Sequence, residues 1–537
     1  MNTINKFLSS KKTAWIFLVI SLVYRVVSVL HVSFIGRDKI ILMQQSRNLL
    51  NGKGLSIAQY YVENIDNPVY DFTPFWPPGY PVLLAPFLKV FNYDTYWATT
   101  SVDVIFSVVF VLLVRKIVIE LNFPTAAVNL ITLIAGCFEY AFIYKSLPTD
   151  IPAFVFFLTG LLLLLRTIKN EKTEPLTLVI TSCFLFLPCT FRYSYPPLSI
   201  AAPLAIILLG WYLKRKMFIK KGLISFIVTT TLIVIFLGVL KSTTGSTGYI
   251  VDTGRGFFPE NFLYWSHLVT ESFINTIFTT SQVINKTGIS LPGVIKLLQI
   301  INAILFLALI LVFVYLFFKR KYFATGSHFS NFLFIGFFIS AATCASLSYL
   351  SVTYRPQPGW GNYLGEPRYF MFVNLFLQTA FIGWIFLHSS WKKSLFQKII
   401  IVCFSFLLFV EVTHNIYLYT KVVIFPDKYS APDEEPDYIY FISAMDSLVH
   451  SNPGEEIWVV SDHDDFFPLM ANYLGHKGIY KGGDMLKGLP VIKRETILVF
   501  ALYDNEMADY QSFLDIHKAK LLNRVNYVTF YKVDLSP

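Results

Sequence analysis

The sequence predicts a polytopic α-helical membrane protein of about eleven transmembrane helices with a small extracytoplasmic α/β domain at its C-terminal end. Three observations predict this. Apolar runs of about 20 residues, each long enough to cross a bilayer, recur along the chain. Of its 537 residues 55% are hydrophobic and only 15% charged, against about 25% charged in a soluble globular protein. The Lys and Arg stand in short clusters beside the apolar runs, as positive-inside charges do. The formal net charge of +10 is therefore no sign of nucleic acid, and the basic stretches with interleaved exposed aromatics that a nucleic-acid groove needs are missing.

The spans follow in order. Lys6, Lys11 and Lys12 precede the first, at about 13–35, and lack a small-residue cleavage site after them. This reads as a retained anchor with a cytoplasmic N-terminus. Spans at about 97–114, 125–143, up to 165, 176–191 and 197–213 follow. Further spans lie at about 223–240, 294–318, 332–350, 369–387 and 399–419. Basic clusters such as Lys214-Arg215-Lys216 and Lys319-Arg320-Lys321 then fall on one side. An odd number of spans puts the C-terminus outside. The division is a transmembrane domain over 1–420, with its first outer loop at 36–96, and an α/β domain over 421–537. In the latter, EIWVVSD, ETILVFALY and VNYVTFYKVDL read as strands, and FFPLMANYLG and ADYQSFLDIHKAKLL as helices. The five cysteines lie in apolar segments without metal-type spacing and read as small core residues.

The chemistry is expected in the first outer loop. Asp38 follows span 1 and heads a helical pattern that runs through Leu50. It reads either as a catalytic carboxylate or as a helix cap, and a cap would also hold it rigidly. Pro77-Pro78-Gly79-Tyr80-Pro81 is a stiff connection whose prolines fix φ. It reads as a helix start and as a support that shapes the site. Asp150, at the outer start of a span, reads as a cap or as a second acidic group near the plane of Asp38. Asp103 lies a few residues inside span 2, where a carboxylate is costly unless it has a function, or else in the interface. Arg25, inside span 1, reads as structural.

Arg192, Arg355 and Arg368 sit at outer span ends, against the positive-inside bias. A phosphate fits such an arginine, because a guanidinium binds two oxygens at once. An aromatic-belt position or an ion pair, such as Glu366 with Arg368, is the alternative. Ser461-Asp462-His463-Asp464-Asp465 reads first as a polar loop after a strand and second as a divalent-cation site. The sequence leaves a metal requirement open and implies no other cofactor.

Asp38, the segment Ser46-Arg47-Asn48-Leu49-Leu50-Asn51-Gly52-Lys53-Gly54 and the PPGYP turn together resemble membrane glycosyltransferases of the GT-C superfold. The nearest group is that of the protein O-mannosyltransferases and aminoarabinose transferases. The resemblance is strongest over about 13–165 and continues at Phe191-Arg192-Tyr193 and Pro367-Arg368-Tyr369. It implies a polyprenyl-phosphate sugar donor among the membrane lipids and an extracytoplasmic acceptor, which is a protein, a lipid or an envelope glycan. It implies an inverting transfer with Asp38 as general base and Arg192, Arg355 or Arg368 on the leaving phosphate. Many members carry two adjacent acids where this chain has Asp38-Lys39, and Asp150 is the candidate for the second role. The bacterial inner membrane is the expected location. The competing class is a lipid or solute transporter, but the repeated halves common in transporters are not seen.

Overall fold

The computed structural model describes residues 7–31, 37–72, 76–136, 148–170, 174–245, 327–353, 367–387, 436–462, 466–479, 482–525 and 527–537, and scattered positions within 297–318 and 398–424. The predicted spans over 294–318 and 399–419, and the outer segment 241–293, lie largely outside the described residues. So does most of the linker after residue 420.

The predicted spans are helices. They are α1 (Lys11–His31), α4 (Thr95–Glu120), α5 (Thr125–Gly136), α6 (Asp150–Lys169), α7 (Pro175–Phe191), α8 (Pro196–Tyr212), α9 (Lys216–Thr244), α10 (His328–Thr353) and α11 (Met371–Leu387). Among the described residues, Asp150–Lys169, Lys216–Thr244 and His328–Leu347 are long and apolar enough to cross a membrane. Local chemistry marks the ends. The Ser10 hydroxyl accepts from the Thr13 N–H ahead of α1, and the Asp94 carboxylate accepts from the Trp97 N–H at the start of α4. Pro175 and Pro196 open α7 and α8 at positions whose N–H would have no helical partner.

Helix α6 is the hub of the bundle. It packs on α4 and α7, and its Phe157 meets Phe372 of α11 edge-to-face at 5.4 Å between ring centroids. Phe154 tilts against Phe110 of α4 at 5.7 Å. Arg25 is buried in α1, where it donates to the Ala135 carbonyl at 2.7 Å and lies over the Phe110 ring. That fits the structural reading.

The first outer loop is itself structured. It holds α2 (Arg37–Leu50), a two-stranded antiparallel hairpin of β1 (Ile57–Gln59) and β2 (Val69–Asp71), and α3 (Gly79–Val90). The PPGYP turn is thus the start of a helix, with Pro78 at its N-cap.

The C-terminal segment is an α/β domain. After α12 (Pro436–Ser451) come β3 (Glu456–Val460), α13 (Phe466–Leu474), β4 (Lys477–Ile479), β5 (Thr496–Tyr503), α14 (Met507–Ile516), β6 (Lys520–Val525) and β7 (Val528–Leu535). The sheet order is β4-β3-β5-β7-β6, parallel across β4, β3 and β5 and antiparallel at β7. The stretch expected as one helix through Leu522 instead breaks at Lys518, where φ is +50°, and its end becomes β6. Hairpin pairing with β7 overrides the helical pattern there.

The loop and this domain are joined. The Gln44 amide donates to the Leu469 carbonyl at 2.7 Å and Arg47 to the Tyr473 carbonyl at 2.6 Å. Asn472 donates to the Ala58 carbonyl at 2.9 Å and accepts from the Gly478 N–H at 2.6 Å. Tyr60 forms a parallel bridge with Ile479, and Asp66 pairs with Lys477 and Lys493. Replacing Asn472 with Ala removes both amide bonds and strands a carbonyl and an N–H, a loss of about 2 kcal/mol. Hydrogen exchange in Asn472→Ala should quicken together at residues 56–60 and 477–479. Faster exchange at 477–479 alone would mean that the domain does not hold the loop.

Candidate active site

The site is built where the loop meets the N-terminal end of α6 and the C-terminal end of α7. Helix α7 ends at Phe191, and Arg192 turns into extended backbone as its C-cap. Tyr195 then leads into Pro196 and α8. That reversal aims Arg192 at the first residue of α6. Arg192 Nε lies 2.8 Å from Asp150 Oδ1, and both side chains are buried. Asp150 is not the cap of α6. The cap position is Thr149, which makes no side-chain capping bond.

This ion pair is only half satisfied. Arg192 Nη2 and Asp150 Oδ2 are buried without a hydrogen-bond partner among the described residues. A buried charged group left short of bonds is costly. Two rings flank the guanidinium, Trp76 at 5.9 Å and Tyr369 at 5.6 Å from the ring centroids. Beside it opens a cleft of about 400 Å³, counting its open mouth, lined in part by Asp150, Ser194, Tyr195, Thr343, Ser346 and Tyr369. Asp150 lines this cleft, and Nη2 of its arginine partner is the donor left to satisfy.

The PPGYP turn connects this pair to a second one. A Cβ on Gly79 would stand 2.6 Å from the Thr190 carbonyl oxygen, so only glycine lets α3 approach α7 so closely. The next residue, Tyr80, is fully buried, and its ring lies in the field of Asp103. Asp103 lies within α4 and is buried. Its Oδ2 is 3.6 Å from Lys39 Nζ, and both side chains are about 2% exposed. Burial pushes the Lys39 ammonium below its ordinary pKa, and Asp103 opposes that shift. Lys39 thus turns inward from the first turn of α2, whose neighbouring residue is the half-buried Asp38.

Of the residues the sequence singles out, the structure brings Asp150 and Arg192 into direct contact. Pro77, Pro78, Gly79 and Tyr80 lie between the Arg192 pair and the Lys39–Asp103 pair. Arg355 lies outside the described residues, as does the side chain of Arg368 in the turn Pro367–Phe370. In the α/β domain, Asp462 accepts from the Gly483 N–H and from the Tyr510 hydroxyl. Its oxygens therefore serve the protein, while His463, Asp464 and Asp465 lie outside the described residues. No cluster of metal-ligating side chains occurs among the described residues. Sequence reasoning missed Trp76, whose signal was its place immediately before the double proline, and it missed the role of Lys39.

No protein-family model matches the chain. No curated protein matches it in sequence. Solved structures do match in shape. The chain is similar to ArnT from Cupriavidus metallidurans in the apo state, with a TM-score of 0.56, 12% identity, and coverage of 97% of this chain and 98% of that one. It also aligns with the archaeal oligosaccharyltransferase AglB from Archaeoglobus fulgidus, in complex with an inhibitory peptide and a dolichol-phosphate. There the TM-score is 0.49 at 12% identity, over 93% of this chain and 70% of that one. The chain has the GT-C fold of membrane glycosyltransferases. It is an integral membrane protein.

The buried Lys39–Asp103 pair makes an asymmetric prediction. Removing one partner leaves a buried charge uncompensated and costs about 3–5 kcal/mol, whereas an apolar pair of similar volume is near neutral. Lys39→Met and Asp103→Leu should each lower the melting temperature in detergent, and the double variant should recover most of the loss. Additive losses in the double variant would show that the two side chains do not act as a pair.

Proposed function

We propose that the chain is an inverting glycosyltransferase that moves a sugar from a polyprenyl-phosphate donor to an extracytoplasmic acceptor. The observation that carries this is the buried Asp150–Arg192 pair in a GT-C fold: Asp150 lines a cleft, and Nη2 of its arginine has no partner among the described residues. An aromatic-flanked guanidinium in a low-dielectric setting suits a leaving phosphate. Asp38 is the general base. It takes the proton of the acceptor hydroxyl or amine as that group attacks the anomeric carbon. The bond from the anomeric carbon to the phosphate oxygen breaks on the opposite side, and the phosphate leaves on its lipid beside Arg192. One displacement inverts the centre. Asp150 holds Arg192 in place through Nε and leaves the Nη groups for the phosphate. Arg368 is a second candidate for the phosphate, because Tyr369 next to it already flanks Arg192.

The reading includes a topology of about eleven spans, with the N-terminus cytoplasmic, the α/β domain outside and the bacterial inner membrane as the location. The loop and the α/β domain together form the roof over the acceptor entrance.

Arg192→Lys keeps a cation for Asp150 but loses the planar fork, so turnover should fall about 100-fold or more, as when one transition-state donor is removed. Asp38→Asn should abolish turnover in protein that is still folded and inserted. Mass spectrometry of lipid extracts and envelope glycans checks both, in cells with the wild type, each variant or no copy. The expected result is accumulation of one polyprenyl-phosphate sugar with loss of one glycan in the Asp38→Asn and null cells. Unchanged lipids and glycans in all strains, with no second copy of the activity, would sink this reading in favour of a transporter.

A further inference from the structure

A second polar pocket lies at the other end of the bundle, unrelated to the chemistry above. It sits between the C-terminal ends of α4 and α6 and the first turn of α10, and is lined by Glu120, Arg166, Lys169, His328 and Asn331 among others. Along α6 it is about 25 Å from Asp150, at 1.5 Å per residue. Three cations converge on one carboxylate there. Arg166 donates to Glu120 Oε1 through Nε and Nη2, at 3.1 and 2.7 Å. Lys116 and Lys169 stand off at 3.8 Å and are about half exposed. Against the single charge of Glu120 this leaves an excess of positive charge, to which the N-terminal end of α10 adds its dipole.

Two further observations say what the pocket takes. Asn331 is buried at 4% exposure, lines the pocket, and its Oδ1 has no partner among the described residues. It waits for a hydrogen-bond donor. Secondly, Ile105, Val109, Leu112 and Ile119 of α4 are exposed. With Lys116 they form one row along the helix, because residues three and four apart share a face. The row ends at Ile119, next to Glu120 of the pocket.

We propose that this pocket binds the headgroup of an anionic phospholipid. Its phosphate lies between Lys116 and Lys169, a headgroup hydroxyl donates to Asn331, and an acyl chain follows the exposed row of α4. The row of apolar side chains is what favours a lipid over a free phosphate. The net positive charge favours an anionic, phosphatidylglycerol-like headgroup over a zwitterionic one, and its glycerol hydroxyl supplies a donor for Asn331.

Native mass spectrometry of the full-length protein in detergent tests this directly. Phosphatidylglycerol, phosphatidylethanolamine and inorganic phosphate are titrated in separate arms. Wild type should retain phosphatidylglycerol over phosphatidylethanolamine. The double variant Lys116→Ala/Lys169→Ala should bind it about thirtyfold more weakly, the combined weight of two interfacial lysines on an anionic headgroup. Asn331→Leu should weaken phosphatidylglycerol binding, because the headgroup hydroxyl loses its acceptor, while leaving the charge-dependent preference for the anionic lipid. Both lysines are half exposed, so an unchanged melting temperature accompanies the double variant, and Lys169→Glu serves as a second probe of the same charge. Equal phosphatidylglycerol binding by wild type and the lysine variants overturns the proposal. So does displacement of the lipid by millimolar inorganic phosphate, which would mark a free-anion site. The readout is binding, so it stands or falls independently of glycosyl transfer.

Discussion

The contact between Arg192 and Asp150 is the constraint on which the outer end of the bundle depends. It ties the last turn of α7 to the first residue of α6, and α6 is the helix around which α4, α7 and α11 pack. Two opposite charges removed from water gain from each other only if their remaining bonds are met. Here one oxygen and one guanidinium nitrogen are not met by the described residues. A fold that tolerates this deficit keeps the guanidinium ready for an anion and unable to swing away, because Asp150 holds Nε while Trp76 and Tyr369 flank the plane. Positioning of this kind, fixed before the ligand arrives, is what transition-state stabilisation needs.

The first outer loop turns that local pair into a larger assembly. Trp76 flanks Arg192, Gly79 lets α3 meet Thr190, and Tyr80 lies by Asp103, which pairs with Lys39 beside Asp38. Five residues of loop thus span from one buried ion pair to the other. From the opposite side, Gln44 and Arg47 of the same helix as Asp38 bond to carbonyls of α13. Helix α2 is therefore held at one end by a membrane helix and along its length by the α/β domain. The domain is part of the support of the loop and not a tethered appendage.

The spans were legible because apolar runs and Pro or Asp at helix starts are local signals. Arg192 and Asp103 were legible as charged residues at or within apolar helical segments. Their partners were not. Asp150 and Arg192 are separated by two whole helices, and no pattern in the chain says that α7 returns to the start of α6. Lys39 looked like a departure from an acidic pair, when its long side chain reaches inward to Asp103. The same limit explains β6, whose Lys520–Val525 carries on a helical pattern in sequence and becomes a strand because β7 offers an edge. The three residues of β4 are too few to carry a period of their own.

On the proposed readings, the two ends of α6 would serve two kinds of anion. Its N-terminal end carries an acid that meets an arginine in a buried cleft, and its C-terminal end carries Arg166 and Lys169 around Glu120 in an open one. Burial sets the difference. At the buried end a single guanidinium, desolvated and flanked by rings, makes stronger charge-assisted bonds than an exposed one. In the open pocket each pair is screened by water and weak on its own. Several cations must then share the anion, and an apolar row must add to the binding. The first arrangement suits a group that has to leave during a reaction, and the second a lipid that stays.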